Sequence, residues 1–328
     1  MANDLSPPPN DAPPPQIAIN PTNRCVYACR HCDRKIVPGE PDLPLAVICR
    51  ALSDIRARFG PREINVAGGE PLLYGGLLDL VAHAREEGHW VNLVTNGALL
   101  SPTVARGLGR WGLNQCVVSL DGFEAQHDAL RERQAFARAT EGMANLRREA
   151  PGVGLAVICV INRLNARVLR EFAAWILAMP DVQALTFQAF ISHRAHEKDR
   201  GWYLDHPLWP DDLGALDGQL DALAALAARE PRVITTPVQF GLMKRYFADP
   251  TRFVLRECLS WRRILAIEGN GDVKYCLGRG AIGNLNAATF PEIWDSEAHR
   301  AVRESLAACR IVCHYVVNCG FVPESLAP

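Results

Sequence analysis

Long apolar runs are absent from this chain of 328 residues, although 48% of its residues are hydrophobic. No segment approaches the roughly 20 consecutive apolar residues that a membrane-spanning helix needs, so we expect no membrane partner. The N-terminal segment also lacks the apolar core of a secretion signal. These absences predict a cytoplasmic protein whose apolar residues form an ordinary interior.

An excess of charge of either sign is absent too. Lys and Arg number 35 against 36 Asp and Glu, which gives a net charge of -1. Proteins that bind nucleic acid or anionic membranes usually carry a strong positive charge or a basic patch. We therefore predict that nucleic acid is not a partner.

Cysteine, by contrast, is abundant, with 11 in the chain. In a sequence without a secretion signal, this number favours a reducing compartment and metal ligation over disulfides. Seven prolines lie among the first 21 residues. We interpret residues 1–15 as a disordered, proline-rich leader.

Three of the cysteines, Cys25, Cys29 and Cys32, form a C-x3-C-x2-C run. Cubane iron–sulfur clusters usually take four cysteine ligands, so three would leave one iron open to bind a small molecule. The same spacing fits one face of a helix, and thiolates are also ligands for zinc. These residues alone leave a cluster, a zinc site and a buried cysteine stripe open.

Strand-like and helix-like segments alternate after the leader. Near-continuous apolar strands between helices predict a parallel sheet covered by helices, with the chemistry at the carboxyl ends of the strands. The fold class is therefore α/β, with a partial (β/α)6 TIM-like barrel over residues 16–192. The expected strands are 16–20, 63–67, 90–95, 115–120, 153–161 and 184–190, and the expected helices include 45–59, 77–87, 135–148 and 166–178.

Four unusual loops follow the first four strands. They are the cysteine run, the segment Gly68-Gly69-Glu70-Pro71, the pair Asn96-Gly97 and the pair Asp121-Gly122. Since the carboxyl ends of parallel strands meet at one edge of a sheet, these loops are expected to share one rim.

Two further segments complete the chain. Residues 193–256 break the alternation and are expected to be a helical linker or a substrate lid. Residues 257–328 are expected to form a small C-terminal module. That module contains five cysteines, which are Cys258, Cys276, Cys309, Cys313 and Cys319.

With these motifs at these spacings, the chain resembles the radical S-adenosylmethionine (SAM) enzymes over roughly residues 16–328. The cysteine run, the Gly-Gly-Glu-Pro loop and the segment Ser119-Leu120-Asp121-Gly122, which continues into His127 and Arg131, carry this resemblance. The C-terminal module resembles a twitch or SPASM extension, through its G-x4-C element and Trp294.

The resemblance implies cofactors and partners. Cys25, Cys29 and Cys32 would hold a [4Fe-4S] cluster whose open iron binds SAM. An auxiliary iron–sulfur cluster, also expected to be [4Fe-4S], would lie in the C-terminal module. An electron donor such as flavodoxin or ferredoxin and a small-molecule substrate are the expected partners.

It also implies roles for residues at the rim. Gly68 and Gly69 would let the backbone approach the methionine end of SAM. Glu70 would receive its ammonium group, and His31 would lie near the adenine. Candidates for the ribose hydroxyls are Ser119 and Asp121, and weaker cofactor-binding candidates are Asn96, Arg131 and Asn162.

The auxiliary site departs from the complete SPASM pattern, which has about seven cysteines for two clusters. Five cysteines suffice for one four-ligand cluster, and Pro323 replaces the last cysteine of the pattern. Cys258 and Cys276 are the surest ligands. The other two would come from Cys309, Cys313 and Cys319, with Cys313 and Cys319 favoured. The spare thiol would be structural or a hydrogen donor, and a zinc site is the alternative.

In this class, reductive cleavage of SAM gives a 5′-deoxyadenosyl radical that abstracts hydrogen from the substrate. Peptide-modifying members often carry an N-terminal recognition domain, and about 15 residues precede the first strand here. The expected substrate is therefore a small polar intermediate of antibiotic-type metabolism (a sugar, cyclitol or nucleoside) undergoing oxidation, epimerisation or decarboxylation. The alternatives are a peptide-modifying enzyme and a non-enzymatic iron–sulfur or zinc scaffold.

Overall fold

The computed structural model describes residues 14–32, 41–191, 201–254, 256–276 and 278–320. Most of the expected leader, the beginning of the expected lid and Pro323 therefore lie outside the described residues. None of the described helices is long and apolar enough to cross a membrane.

Six strands form a parallel sheet in chain order, and helices separate them. This arrangement confirms the predicted α/β fold with an open, partial barrel. The strands are β1 (Gln16–Ile19), β2 (Glu63–Val66), β3 (Trp90–Thr95), β4 (Gln115–Ser119), β5 (Gly154–Ile161) and β6 (Val182–Ala189). The helices of this part are α1 (Leu45–Phe59), α2 (Leu77–Glu86), α3 (Pro102–Arg110), α4 (Glu124–Leu130), α5 (Ala135–Glu149) and α6 (Leu169–Leu177).

Alternation along the strands divides the sheet into two faces. Ile17 and Ile64 are fully buried in the main core, together with apolar residues of the helices. Their neighbours Gln16, Glu63 and Asn65 are half-buried on the other face. Because side chains alternate across a strand, one face packs under the helices and the other forms the concave interior of the barrel.

One helix begins later than predicted, and another was not predicted. Helix α6 begins at Leu169 rather than at 166 because Asn162 and Asn165 first form a turn, in which the Asn162 amide donates to Asn165 Oδ1 at 2.9 Å. Asn side chains that bind nearby backbone favour turns over helices. The short helix α4 was not predicted. Ser101 caps the first turn of α3, since its Oγ accepts from the Val104 amide.

The C-terminal part joins the barrel sheet directly. Its first strand, β7 (Ile264–Ile267), pairs in parallel with β1, and β8 (Asp272–Lys274) and β9 (Gly283–Asn284) continue the sheet antiparallel. At the opposite edge, Asn318 both donates to the Ala189 carbonyl and accepts from the Ala189 amide. The C-terminal part therefore contacts both β1 and β6. Two helices precede the C-terminal part, α7 (Leu213–Ala227) and α8 (Pro237–Ala248). The C-terminal part itself contains α9 (Ser260–Arg263), α10 (Phe290–Trp294) and α11 (Glu297–Ala307).

Aromatic side chains fill the space between the expected lid and this C-terminal part. Trp202 and Trp209 are buried, and the Trp202 indole donates to His314 Nδ1 at 3.1 Å. Tyr246, on α8, is fully buried against the same group. In the described residues of this segment, the aromatic residues therefore form a packed interior.

Candidate active site at the carboxyl rim of the barrel

The cysteine loop follows β1 at the rim. Cys29 is buried and packs with Tyr27 and Ala135, whereas Cys25 is exposed and Cys32 is half-buried. The Arg30 amide donates to the Leu130 carbonyl at 2.9 Å, which fixes the loop to the end of α4. The loop thus presents one thiol to the open side and holds another against the barrel.

The Gly68-Gly69 pair lies directly on the backbone of the cysteine loop. The amides of Gly69 and Glu70 donate to the carbonyls of Thr22 and Arg24, at 2.9 and 2.7 Å. A Cβ atom on Gly69 would lie 2.1 Å from the Arg24 carbonyl oxygen, so no side chain fits there. Gly68 has a φ of +118°, in the range that favours glycine. The structure thus gives these glycines a role in packing the loop, and their approach to SAM stays a prediction.

Glu70 is fully buried and links two rim loops. Its carboxylate accepts from the Thr95 hydroxyl at 2.6 Å, from the Asn96 amide at 2.9 Å and from the Leu72 amide at 3.2 Å. Burial raises its pKa, and these hydrogen bonds oppose the shift. Glu70 therefore fastens the loop after β2 to the end of β3, and its contact with the SAM ammonium group stays a prediction.

Asn96 lies beside the first cysteine. Its side-chain amide donates to Cys25 Sγ at 3.8 Å, while its Oδ1 accepts from the Ala98 amide at 2.9 Å. The structure therefore places Asn96 beside Cys25, one of the three expected cluster ligands, although Asn96 was only a weak cofactor-binding candidate.

Asp121 is fully buried, and both of its carboxylate oxygens have partners. Arg131 Nε donates to Oδ2 at 2.6 Å, and the Val160 amide donates to Oδ1 at 2.8 Å. Arg131 and His31 hold the pKa of this carboxyl below its usual range, against the effect of burial, so it is ionised at neutral pH. The structure brings His31 and Arg131 together at Asp121, and the expected ribose contact stays a prediction.

Ser119 and Asn162 lie at the ends of neighbouring strands. Ser119, the last residue of β4, is nearly buried. Asn162 is fully buried, and its side chain donates to the Val160 carbonyl and accepts from Leu164. Asn162 therefore shapes the loop after β5. The expected contacts of Ser119 and Asn162 with the cofactor stay predictions.

Asn165 and His127 complete this rim, although the sequence analysis assigned them no site role. The Asn165 side chain donates to the Asp121 carbonyl at 3.2 Å, and the Asp121 amide donates to His127 Nδ1 at 3.0 Å. Burial lowers the pKa of His127 to about 4, so the ring is neutral at neutral pH. The signal for His127 lay in the segment that continues from Ser119 to Arg131.

Replacing His127 is expected to reduce the acid sensitivity of the fold. Its folded pKa is below the ordinary value of about 6.5, so protons favour the unfolded chain as the pH falls. Between pH 7 and pH 5 this group should remove about 2 kcal/mol from the free energy of unfolding. Denaturant unfolding of wild type and His127→Asn at both pH values measures the difference. Equal pH dependence in the two proteins would contradict this assignment.

The five C-terminal cysteines gather in one region. Cys276 interacts electrostatically with Cys258 and Cys309, and Cys319 interacts with Cys258, Cys276 and Cys313. Burial raises the pKa values of Cys313 and Cys319 to about 12. As free thiols they would thus stay protonated, so a bound metal would have to displace their protons.

The five thiols differ in their local contacts. Cys313 and Cys319 flank the 3₁₀ turn Tyr315–Asn318, and the Cys313 amide donates to the Phe253 carbonyl. Cys309 follows α11, and its sulfur accepts from Arg279 at 3.5 Å. Cys309 thus has a cationic donor on its sulfur.

The remaining cysteines lie apart from both groups. Cys116 and Cys159 are fully buried in the main core, on the face of the strands that packs under the helices. Cys49 is half-buried on α1. The strand cysteines therefore do not face the barrel interior.

The residues at the two centres fit iron–sulfur clusters in donor type. Within the described ranges, no three His, Cys, Asp or Glu side chains converge closely enough to bind a single metal ion. Thiolates that bind a multi-iron cluster each contact a different iron and do not need that convergence. Three thiols at the rim and five in the C-terminal part are sufficient for one cluster each.

Two protein-family models match the chain. The radical SAM superfamily matches residues 19–176, and the SPASM iron-sulfur cluster-binding domain matches residues 258–319. The first match contains the cysteine loop and the rim residues, and the second contains all five C-terminal cysteines.

Several curated proteins are similar in sequence to this chain over nearly its whole length. The AdoMet-dependent heme synthase of Nitratidesulfovibrio vulgaris is 27% identical over 93% of this chain and 86% of its own length. The mycofactocin maturase MftC of Mycolicibacterium smegmatis is 28% identical over 90% of this chain and 74% of its own length. The PqqA peptide cyclase of Xanthomonas oryzae pv. oryzae is 27% identical over 87% of this chain and 75% of its own length.

A solved structure supports the fold. SuiB of Streptococcus suis, bound to S-adenosylmethionine, has a TM-score of 0.68 with 14% identity, over 95% of this chain and 72% of that chain. At this identity the likeness concerns the fold alone.

Proposed function

The chain belongs to the radical SAM superfamily and carries a C-terminal SPASM iron–sulfur domain, and on that premise we propose that it modifies a peptide. The observation that carries this proposal is the likeness to a peptide cyclase along 87% of the chain. That likeness extends over both the barrel and the cysteine-rich C-terminal part. The peptide-modifying alternative raised from the sequence is thus favoured over the small polar substrate.

None of the curated relatives described above is named for a sugar, cyclitol or nucleoside substrate. One is named as a heme synthase, so the family likeness alone does not restrict the substrate to peptides. A peptide substrate is compatible with each outcome predicted from the sequence, which are oxidation, epimerisation and decarboxylation.

The residues of this chain prepare the site for radical chemistry. When bound at Cys25, Cys29 and Cys32, the cluster supplies the electron that cleaves SAM reductively. Glu70 and the two glycines before it hold the cysteine loop against the end of β3. In the auxiliary centre we assign Cys258, Cys276, Cys313 and Cys319 as ligands and Cys309 as the spare thiol.

A substrate test follows from this assignment. The probe is a set of synthetic peptides translated from the short reading frames beside the gene, given to the reconstituted protein with SAM and dithionite. We expect one peptide to raise 5′-deoxyadenosine release above the substrate-free rate and to lose hydrogen by mass spectrometry. A panel of sugars, cyclitols and nucleosides is the comparison. Stimulation by that panel and by no peptide would reject the peptide proposal while retaining the enzyme class.

A further inference from the structure

Asp121 and Arg131 form the most enclosed ion pair at the rim. Their side chains are 0% and 9% exposed, and Arg131 Nε lies 2.6 Å from Asp121 Oδ2. The His127 ring next to them is neutral at neutral pH, because burial lowers its pKa to about 4. Within this group, the pair therefore combines one full positive and one full negative charge.

The pair lies beside the cysteine loop. Arg131 follows Leu130, whose carbonyl accepts from the Arg30 amide within the C-x3-C-x2-C run. Arg131 interacts electrostatically with Cys29 and Cys32. Asp121 accepts from Arg131 at 2.6 Å, so its negative charge lies next to this cation and near the same loop.

We propose that the Asp121–Arg131 pair sets the reduction potential of the cluster held by Cys25, Cys29 and Cys32. Reduction adds one electron to the cluster, taken from the external donor, and so adds one negative charge. A nearby buried cation stabilises the reduced form, and a nearby anion destabilises it, because the low local dielectric screens neither charge strongly. In this proposal, Asp121 offsets the field of Arg131 and keeps the potential low.

Single and double replacements of the pair test this role. Asp121→Asn keeps an oxygen for the Val160 amide but leaves Arg131 uncompensated, so the midpoint potential should rise. Arg131→Met removes the cation, so at a pH high enough to keep Asp121 ionised the midpoint should fall. For each, we expect at least a tenfold change in the reduction equilibrium, about 59 mV for one electron. The double variant should return toward wild type.

The potential is measured by titration followed with electron paramagnetic resonance. The signal that changes shape when SAM is added identifies the rim cluster, and its midpoint is then taken in the absence of SAM. Any contact of Arg131 with SAM would therefore not affect the result. Iron content and circular dichroism select variants that still fold and load, and Arg131→Lys, which keeps the charge, should stay near wild type.

An exposed ion pair near the same loop provides the matched control. Arg24, 56% exposed, pairs with Asp42, 25% exposed. Water screens this pair, so Asp42→Asn should leave the midpoint unchanged. Shifts of Asp121→Asn and Arg131→Met in the same direction would overturn the proposal, as would unchanged midpoints in loaded variants. Neither result depends on which substrate the enzyme uses.

Discussion

Replacing Cys25, Cys29 and Cys32 together by alanine is expected to abolish SAM cleavage and to remove about four irons per chain. We assign these three thiols as the ligands of the rim cluster, and the auxiliary centre has a separate proposed set. The triple variant should therefore retain about four irons and a brown colour. Iron and sulfide analysis, with an assay for 5′-deoxyadenosine under dithionite, measures both effects.

Three cysteine variants provide the controls for this experiment. Cys313→Ala should also lose about four irons but retain slow cleavage of SAM, because the rim cluster remains. Cys309→Ala should keep the full iron content if Cys309 is the spare thiol. Cys49→Ser, on α1 and apart from both groups, should match wild type. Cleavage by the triple variant would refute the assignment of the rim ligands.

A single methyl group at Gly69 is expected to have an effect nearly as large. The Cβ of Gly69→Ala would lie 2.1 Å from the Arg24 carbonyl oxygen, a backbone atom that cannot turn away as a flexible side chain could. The cysteine loop must then move, and the hydrogen bonds from Gly69 and Glu70 to that loop would be lost. We expect at least a hundredfold loss of SAM cleavage, about 2.7 kcal/mol or more in the activation barrier.

Gly75, six residues further along, provides the matched control. A Cβ on Gly75 meets no atom within 4 Å, so Gly75→Ala should retain wild-type cleavage. Rates of 5′-deoxyadenosine formation and iron content are compared for the two variants. Equal rates would show that the loop can move without loss of function, which would contradict the close-packing role of Gly69.

Much of the fold was predictable because its signals are local. Each of the six parallel strands is a short apolar run, and each rim motif directly follows a strand. Chain order then placed the cysteine loop, the Gly68-Gly69 turn and Asp121 at one rim, since parallel strands end on the same side. The helix α4 was missed because it is only seven residues long and its few apolar residues give a weak period.

The partners of the rim residues were not predictable in the same way. From the sequence, Glu70 and Asp121 were expected to contact SAM, and the structure adds their contacts with Thr95 and Arg131. Such pairs join residues from different loops, and no local pattern specifies them. The pairing of β7 with β1 is a similar case, because the two strands are more than 240 residues apart in the chain.

The sequence by itself determined the class of chemistry. Thiol spacing and the motifs at strand ends are properties of neighbouring residues, and they predict the rim cluster, SAM and an auxiliary cluster. Only the tertiary structure decided which charges are buried together, which carbonyls the glycines pack against and how the C-terminal part contacts both edges of the barrel. The physical reason is that burial and electrostatic pairing depend on distances that form only when remote segments pack.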